Sequence, residues 1–312
     1  MASSTAGRDK VALTGWFSFT DGEVTAGDLL SLDAVRAALD AAGIPYEVFW
    51  SPVFHPAGPA LADLPRPAPH SRMVFVCGPV HGEQVEDLHS AFAASARYAV
   101  GVSVVDPRSP AVTGFHRVLA RDTPDAEGVA ADLSFEAPPA RRPPPVAGVV
   151  LTGGQGEYGP RRRHDEVTHA VLDRLRGMDA ALVRLDTRTS TAEWDLPSTA
   201  EQYEAVLRRM DVVVTNRLHG LVLALRCGIP VLAVDPVDRR AKLSAQGRAL
   251  SWPAVLTPDE VGTPAFDRWW SWCLTEGRDL ARARRDAAAG GGRGALTADL
   301  LDLLAQPVPL AG

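Results

Sequence analysis

The sequence predicts an α/β fold of two Rossmann-like domains that face a central cleft. Three observations lead to this prediction. Short β-rich runs alternate with amphipathic segments, which is typical of parallel sheets whose strands are joined by helices. The alternation stops at a proline-rich stretch near residues 136–146 and then begins again. The length of 312 residues suits about two domains.

In the first half, helical spacing of Leu29, Leu32, Val35 and Leu39 predicts a helix near 27–42, and a second helix is predicted near 82–96. The predicted strands are 11–15, 46–49, 73–78 and 100–105. The second half repeats this pattern. Its predicted strands are 148–152, 180–185, 211–215 and 230–234, and its predicted helices lie near 163–176, 199–209, 217–227 and 264–288.

The prolines between these halves can join neither a helix interior nor a central strand, so they mark a linker. We therefore predict an N-terminal domain over 1–137, a linker over 138–146 and a C-terminal domain over 147–292. Residues 293–312 begin with a run of glycines and are predicted to form a flexible tail with one short helix.

Composition and sequence patterns argue against several classes of function. The formal net charge of −6 disfavours a nucleic-acid partner. Cys77, Cys227 and Cys273 are odd in number and far apart, so buried thiols are expected rather than disulfides or a metal site, and no metal or cofactor is predicted. No apolar run is long enough for a membrane span, and the first residues lack a signal-peptide core, so a cytoplasmic protein is expected. The sequence leaves a homo-oligomeric state open.

The most informative segment is 211–235, DVVVTNRLHGLVLALRCGIPVLAVD. It reads as a buried strand, a short amphipathic helix and another strand, with Thr215 or Asn216 available to cap the helix. Arg217 and His219 then lie at the carboxyl end of a strand, where open α/β sheets bind ligands. Arg217 offers a fork for a carboxylate or phosphate, and His219 offers a group that transfers protons near neutral pH. Purely structural roles for both residues remain an alternative on the pattern alone.

The run Arg217-Leu218-His219-Gly220, followed by Gly228-Ile229-Pro230, resembles the signature of polysaccharide pyruvyl transferases. Asp235 and Lys242 fall where that family often carries an acidic residue and a lysine. The resemblance implies a GT-B-like arrangement of the two domains.

Weaker similarities extend over the N-terminal half. Gly15, Gly27-Asp28, Arg121-Asp122 and Asp132 resemble family positions, although Thr25 stands where an asparagine is usual. The family's glycine-rich turn after the third strand here reads CGPVHG, residues 77–82, which is a departure from the pattern.

The resemblance implies that the enzyme moves the pyruvyl group of phosphoenolpyruvate, as co-substrate, onto hydroxyls of a saccharide or another polyhydroxyl acceptor to form a cyclic ketal. His219 is then the general acid, and Arg217 and Arg121 hold the donor's negative charges, with Lys242 as a further cation. Asp28 is the candidate contact for an acceptor hydroxyl. His81 and Glu83 either orient that hydroxyl or make local hydrogen bonds. The C-terminal domain is assigned to the donor and the N-terminal domain to the acceptor.

Three other functions remain open. The same architecture serves glycosyltransferases that use nucleotide sugars, because a fold does not fix its chemistry. A family relative that acts on a small natural-product acceptor is another alternative, as is a non-catalytic binding protein. The glycine-rich loop at 152–164, which ends in Arg161, Arg162 and Arg163, is either a phosphate-binding loop or a solvated basic turn.

Overall fold

The computed structural model describes residues 10–124, 129–153, 156–238, 242–290 and 294–306. The chain divides into two compact units, unit 1 up to Arg141 and unit 2 from Arg142. Each unit is an α/β domain built on one five-stranded sheet in which every pair of neighbouring strands is parallel. The predicted fold class of two Rossmann-like α/β domains is confirmed at this level.

Unit 1 contains the strands β1 (Val11–Gly15), β2 (Tyr46–Val48), β3 (Arg72–Val76), β4 (Ala96–Ser103) and β5 (Arg117–Asp122). Its helices are α1 (Ala26–Ala41), α2 (Glu83–Ala91) and the short α3 (Pro110–Thr113). Three short 3-10 segments lie at Trp16–Ser18, Leu61–Asp63 and Leu133–Glu136.

Unit 2 contains the strands β6 (Val146–Val150), β7 (Ala181–Arg184), β8 (Val212–Thr215), β9 (Val231–Val234) and β10 (Val255–Leu256). Its helices are α4 (His164–Arg176), α5 (Ala200–Leu207), α6 (Leu218–Arg226), α7 (Lys242–Ala249), α8 (Pro264–Leu274), α9 (Glu276–Ala289) and α10 (Ala295–Ala305). Two 3-10 segments lie at Gly156–Arg161, which is kinked, and Pro258–Glu260.

The two sheets have the same topology. Unit 1 has the order β2-β1-β3-β4-β5, and the sheet of unit 2 runs β7-β6-β8-β9-β10 when it is read in the same direction. The chain therefore changes direction across the sheet between β1 and β3 in unit 1 and between β6 and β8 in unit 2. Ligands of open α/β sheets bind beyond the carboxyl ends of the strands at such points.

The central strands are buried on both faces, as parallel strands covered by helices require. All four residues of β8 are buried, and so are all four of β9. In unit 1, Phe75 and Met73 of β3 are fully buried in the core. The three cysteines are buried thiols, as the sequence predicts.

Several elements differ from the prediction. Strand β3 ends at Val76 instead of Gly78, because Cys77 and Gly78 have positive φ angles of 63° and 76°. The helix predicted over 264–288 is two helices, which are separated at Thr275 (φ −121°, ψ −104°). Strands β5 and β10 and helix α7 were not predicted. Among the described residues, none of the helices combines the length and the apolar character needed to cross a membrane.

Candidate active site

The turn between β8 and α6 is rigid because its two polar side chains bind backbone of the neighbouring strand β6 and the loop beyond it. The Thr215 hydroxyl donates to the Val150 carbonyl over 2.8 Å and accepts from the Arg217 amide over 2.9 Å. The Asn216 side chain accepts from the Thr152 amide (2.8 Å) and donates to the Thr152 carbonyl (3.0 Å). The ends of β6 and β8 are thereby fixed at the point where the sheet changes direction.

Glycine is required at position 220 by this turn. A Cβ atom on Gly220 would lie 2.2 Å from the Thr215 Oγ1 atom, which is far inside contact distance. Helix α6 therefore begins in direct contact with the end of β8. This contact explains the glycine of the Arg217-Leu218-His219-Gly220 run in physical terms.

The first turn of α6 is not capped by a side chain. Arg217 is the N-cap residue, and its side chain does not accept from the helix. The expectation that Thr215 or Asn216 caps this helix is wrong, because both side chains are engaged with residues 150–152 and with the Arg217 amide. Unpaired N–H groups and the helix dipole make such a terminus a favourable place for an anion.

A cleft of about 200 Å³ opens at this terminus, within unit 2. Arg217, His219 and Lys242 all line it. His219 is exposed, and Lys242 is the first residue of α7. The remaining lining residues are His164, Asn216, Leu218, Asp235, Pro236, Val237 and Leu243. Three side chains that the sequence singled out are therefore brought together around a helix N-terminus.

Asp186 forms an ion pair with the Arg217 guanidinium. The Arg217 Nη1 atom lies 2.5 Å from Asp186 Oδ1, and each side chain is 22% exposed. Burial tends to raise the pKa of Asp186, but hydrogen bonds from Arg188 and the positive charges of Arg217 and Arg188 lower that pKa overall. Asp186 was not predicted as a site residue, because its signal in the sequence is only that of an acidic residue just after a predicted strand.

Asp235 anchors the helix that carries Lys242. Its carboxylate is buried and accepts from both the amide (2.9 Å) and the hydroxyl (2.5 Å) of Ser244, in the first turn of α7. Asp235 follows β9, so these hydrogen bonds join the end of β9 to the beginning of α7. Asp235 therefore holds the first turn of α7, the turn that begins with Lys242, at the end of β9.

A second cleft, of about 590 Å³, lies within unit 1 at the carboxyl ends of β1, β3 and β5. Asp28, His81 and Arg121 line this cleft, together with Trp16 and Glu23. Glu83 does not line it; Glu83 is the exposed first residue of α2. The predicted acceptor residues are thus brought together except for Glu83.

The side chains of Asp28 and Arg121 already have protein partners. Asp28 Oδ2 accepts from the Thr25 amide (2.9 Å) and hydroxyl (2.7 Å), which forms a capping box at the N-terminus of α1. Arg121 pairs with Asp122 and Asp132 and donates to the Ser103 hydroxyl. The two carboxylates neutralise the Arg121 guanidinium, so the assignment of Arg121 to the donor's charge stays a prediction without support from this geometry.

Two of the three arginines in the loop at 152–164 form ion pairs with carboxylates. Arg162 pairs with Asp165, and Arg163 pairs with Glu166 and Asp259. These contacts favour the solvated basic turn over a phosphate-binding loop, although residues 154–155 of that loop lie outside the described residues. Across the described part of the chain, no three His, Cys, Asp or Glu side chains are grouped so that they could hold a metal ion.

The comparisons with known proteins agree with the motif in unit 2. Residues 128–238 match the family model described as polysaccharide pyruvyl transferase. The matched residues include Asp186, Arg217, His219 and Asp235. The resemblance to this family is confirmed over these residues, and the predicted enzyme class, a transferase, is the class of the matched family. No curated protein sequence matches the chain significantly.

Similar solved structures include two transferases named for spinosyn and a MurG protein. A spinosyn rhamnosyltransferase, SpnG, complexed with spinosyn aglycone is 13% identical, with 95% of this chain and 100% of that chain covered and a TM-score of 0.35. The spinosyn forosaminyltransferase SpnP is 14% identical, with 95% and 99% covered and a TM-score of 0.32. MurG of Acinetobacter baumannii is 12% identical, with 94% and 98% covered and a TM-score of 0.31.

Proposed function

We propose that this protein is a pyruvyl transferase that binds phosphoenolpyruvate in the unit 2 cleft and transfers its pyruvyl group to two hydroxyls of a polyhydroxyl acceptor. The observation that supports this most directly is the cleft itself. Arg217, His219 and Lys242 surround the uncapped N-terminus of α6 there. Phosphoenolpyruvate carries a carboxylate and a phosphate, and both are ligands that arginine, lysine and a helix N-terminus bind.

The size of the cleft also favours a small donor. Its volume of about 200 Å³ is below the ~300–1,000 Å³ that is usual for sites of drug-sized ligands. Phosphoenolpyruvate is smaller than such a ligand, whereas a nucleotide sugar is larger. The size of the cleft is therefore compatible with phosphoenolpyruvate as the donor.

In the proposed reaction, His219 in its protonated form gives a proton to the methylene carbon of the enol. The adjoining carbon becomes electrophilic, and one acceptor hydroxyl attacks it and loses its proton. The bond between that carbon and the phosphate oxygen then breaks, and inorganic phosphate leaves. The second hydroxyl adds to the same carbon and also loses its proton, which closes a ketal ring that carries a methyl group and a carboxylate. Of the two protons released, one restores protonated His219 and the other goes to the leaving phosphate.

The other cationic groups bind the donor instead of reacting with it. Arg217 is suited to the donor's carboxylate or phosphate because its planar fork makes two parallel hydrogen bonds. Asp186 fixes that fork by its ion pair. Lys242, positioned by the contacts between Asp235 and Ser244, supplies a second positive charge. We place this reaction in the cytoplasm, because phosphoenolpyruvate is a metabolite of the cell interior.

The proposal is tested by measuring which donor raises the melting temperature of the purified protein. Phosphoenolpyruvate should raise Tm in a concentration-dependent way, because a ligand of the folded state alone stabilises that state. Inorganic phosphate is the control for a general anion effect, and nucleotide sugars are the competing donors. Stabilisation by a nucleotide sugar but not by phosphoenolpyruvate would contradict the proposal and indicate a glycosyltransferase.

A further inference from the structure

Trp16 provides a half-buried aromatic surface in the unit 1 cleft. It follows β1 directly and lines the cleft together with His81, whose ring centroid lies 5.3 Å from that of the indole. On another side, Phe19 packs edge-on against Trp16 at 5.4 Å. An aromatic ring that is fixed by its neighbours can stack against a flat apolar face of a ligand without a large loss of side-chain entropy.

The orientation of Trp16 is fixed by the turn after β3. The indole Nε1 atom donates to the Pro79 carbonyl over 3.0 Å. A Cβ atom on Gly78 would lie 2.3 Å from the Trp16 Cδ1 atom, and Gly78 has a φ angle of 76°. Only glycine satisfies both conditions, because it alone lacks a Cβ atom and adopts positive φ without strain. Gly78 of the turn at 77–82 is therefore required by the contact between this turn and the Trp16 indole.

The charge of this cleft is the opposite of the charge in unit 2. Three carboxylates line it, those of Glu23, Asp28 and Asp132, against the single guanidinium of Arg121. Arg121 is paired with Asp132 and also with Asp122. Hydrogen bonds from Ser134 and the contact with Arg121 keep the pKa of Asp132 below its usual range, so Asp132 is ionised at neutral pH. The negative charges of Glu23 and Asp28 remain in excess.

The helix N-terminus in this cleft already holds a carboxylate, so it is less favourable for a further anion. Helix α1 begins beside the cleft, but the Asp28 carboxylate in its first turn already accepts from the Thr25 amide and hydroxyl. The positive end of the helix dipole is thus compensated by a carboxylate of the chain itself. The corresponding terminus of α6 in unit 2 has no such cap.

From the fixed indole, the excess of carboxylates and the capped helix terminus, we infer that the unit 1 cleft binds a polyhydroxylated ring that carries no negative charge and prefers an amine-bearing ring. This inference rests on the function proposed above, since it specifies the acceptor of that reaction. Trp16 stacks on the ring, and the carboxylates of Glu23 and Asp28 accept from its hydroxyl or ammonium groups. Sugar acids and sugar phosphates are excluded as the ring that occupies this cleft.

The test compares three probes on the full chain by saturation-transfer NMR titration, without a donor. The probes are glucosamine in its protonated form, glucose and glucuronate. Glucosamine should bind most tightly, glucose more weakly, and glucuronate not measurably. Trp16→Leu should weaken both binding probes about fivefold or more, whereas Trp194→Leu is the matched control, because Trp194 is 96% exposed and does not line the cleft.

A second pair of variants tests the charge. Glu23→Gln should reduce the advantage of glucosamine over glucose by about twofold to fivefold, the range of an exposed ion pair, because the amide oxygen still accepts from a hydroxyl but no longer attracts an ammonium charge. Glu193→Gln, an exposed residue outside the cleft, is its control. Equal binding of glucuronate and glucose, or a Trp16→Leu variant that binds like Trp194→Leu, would overturn the inference.

The failure of this inference can be told apart from the failure of the proposed function. Phosphoenolpyruvate binding is measured separately, by Tm, on the same variants, and Trp16→Leu should retain it. A protein that binds phosphoenolpyruvate but shows no preference among the three probes contradicts the acceptor inference alone. A protein that shows the preference but binds no phosphoenolpyruvate contradicts the donor proposal and leaves the unit 1 cleft as a sugar site.

Discussion

Asp186 and Arg217 form an ion pair across the end of β6. Asp186 follows β7 and Arg217 follows β8, and β6 lies between these two strands in the sheet. Asp186, at the end of β7, therefore holds the Arg217 side chain at the end of β8, two strands away in the sheet. If Arg217 binds the donor, Asp186 is a positioning residue that sets the direction of its fork.

Asp186→Ala should weaken phosphoenolpyruvate binding and lower the free energy of unfolding by about 1–3 kcal/mol, because a partly buried guanidinium loses a charged hydrogen-bond partner. Asp186→Asn should recover part of the binding, since an amide oxygen can still accept from Arg217. The measurements are donor affinity by calorimetry and unfolding in urea. Equal donor affinity in Asp186→Ala and the wild type would show that the pair has no positioning role.

His219→Asn should fold normally, because the His219 side chain is exposed in the first turn of α6 and contributes little packing. It should still bind phosphoenolpyruvate through Arg217 and the helix N-terminus. Phosphate release with a competent acceptor should fall by about 10²–10⁴-fold, the usual contribution of a general acid. His169→Asn, an exposed histidine of α4 outside the cleft, is the control. Near-normal turnover in His219→Asn would remove His219 from the mechanism.

Arg217→Lys should reduce donor affinity about tenfold or more, because an ammonium cannot reproduce the two parallel hydrogen bonds of a guanidinium. Calorimetry with phosphoenolpyruvate measures the change. The matched control is Arg209→Lys, which alters an exposed arginine outside the cleft. If both variants bind the donor equally well, the donor does not depend on the Arg217 fork.

Gly220→Ala should destabilise unit 2 by about 1–3 kcal/mol, the usual cost of forcing an extra methyl group into a packed contact. The new Cβ atom would displace α6 from the end of β8, so donor affinity should fall as well. Gly262→Ala is the control, because a Cβ atom there meets nothing within 4 Å. Unfolding in urea and calorimetry report the two effects. A Gly220→Ala variant as stable as Gly262→Ala would show that the turn is not tightly packed.

Stability should fall in acid partly through Asp186. The pKa of Asp186 in the folded protein is below its usual range, so its ionised form favours the folded state. This contribution is complete above the ordinary aspartate pKa of about 3.9 and is lost as the pH falls through the lower folded value. Unfolding in urea near pH 6 and near pH 3 measures the loss, which should be smaller in Asp186→Asn. An identical loss in that variant would assign the acid sensitivity to other carboxylates.

Much of the fold could be predicted from the sequence where hydrophobic periodicity was strong. Strand β8 and helix α6 were predicted almost to the residue, because four buried residues precede a clear apolar stripe. Strand β5 was missed because it is an edge strand with alternating exposed residues and two arginines. Strand β10 has only two residues, and α7 has no marked apolar stripe.

The site was predictable in part, because its motif lies in the strongly periodic segment of β8 and α6. The motif located Arg217 and His219 at a strand end, which the structure bears out in geometry. The partner of Arg217 was not predictable, because Asp186 is 31 positions away and meets Arg217 only once the strand order is known. The capping box that engages Asp28 had a signal in the sequence, because Thr25 and Asp28 are three positions apart.

Each sheet is formed by strands from one half of the chain, and this has a consequence for biosynthesis. Every strand pair of the first sheet joins residues between 11 and 122, and every pair of the second joins residues between 146 and 256. Neither sheet borrows a strand from the other half of the chain. The first sheet can therefore assemble without any strand of the second, as is usual for domains that fold as units. A nascent chain that stalls in the proline-rich stretch already contains every strand and helix of unit 1.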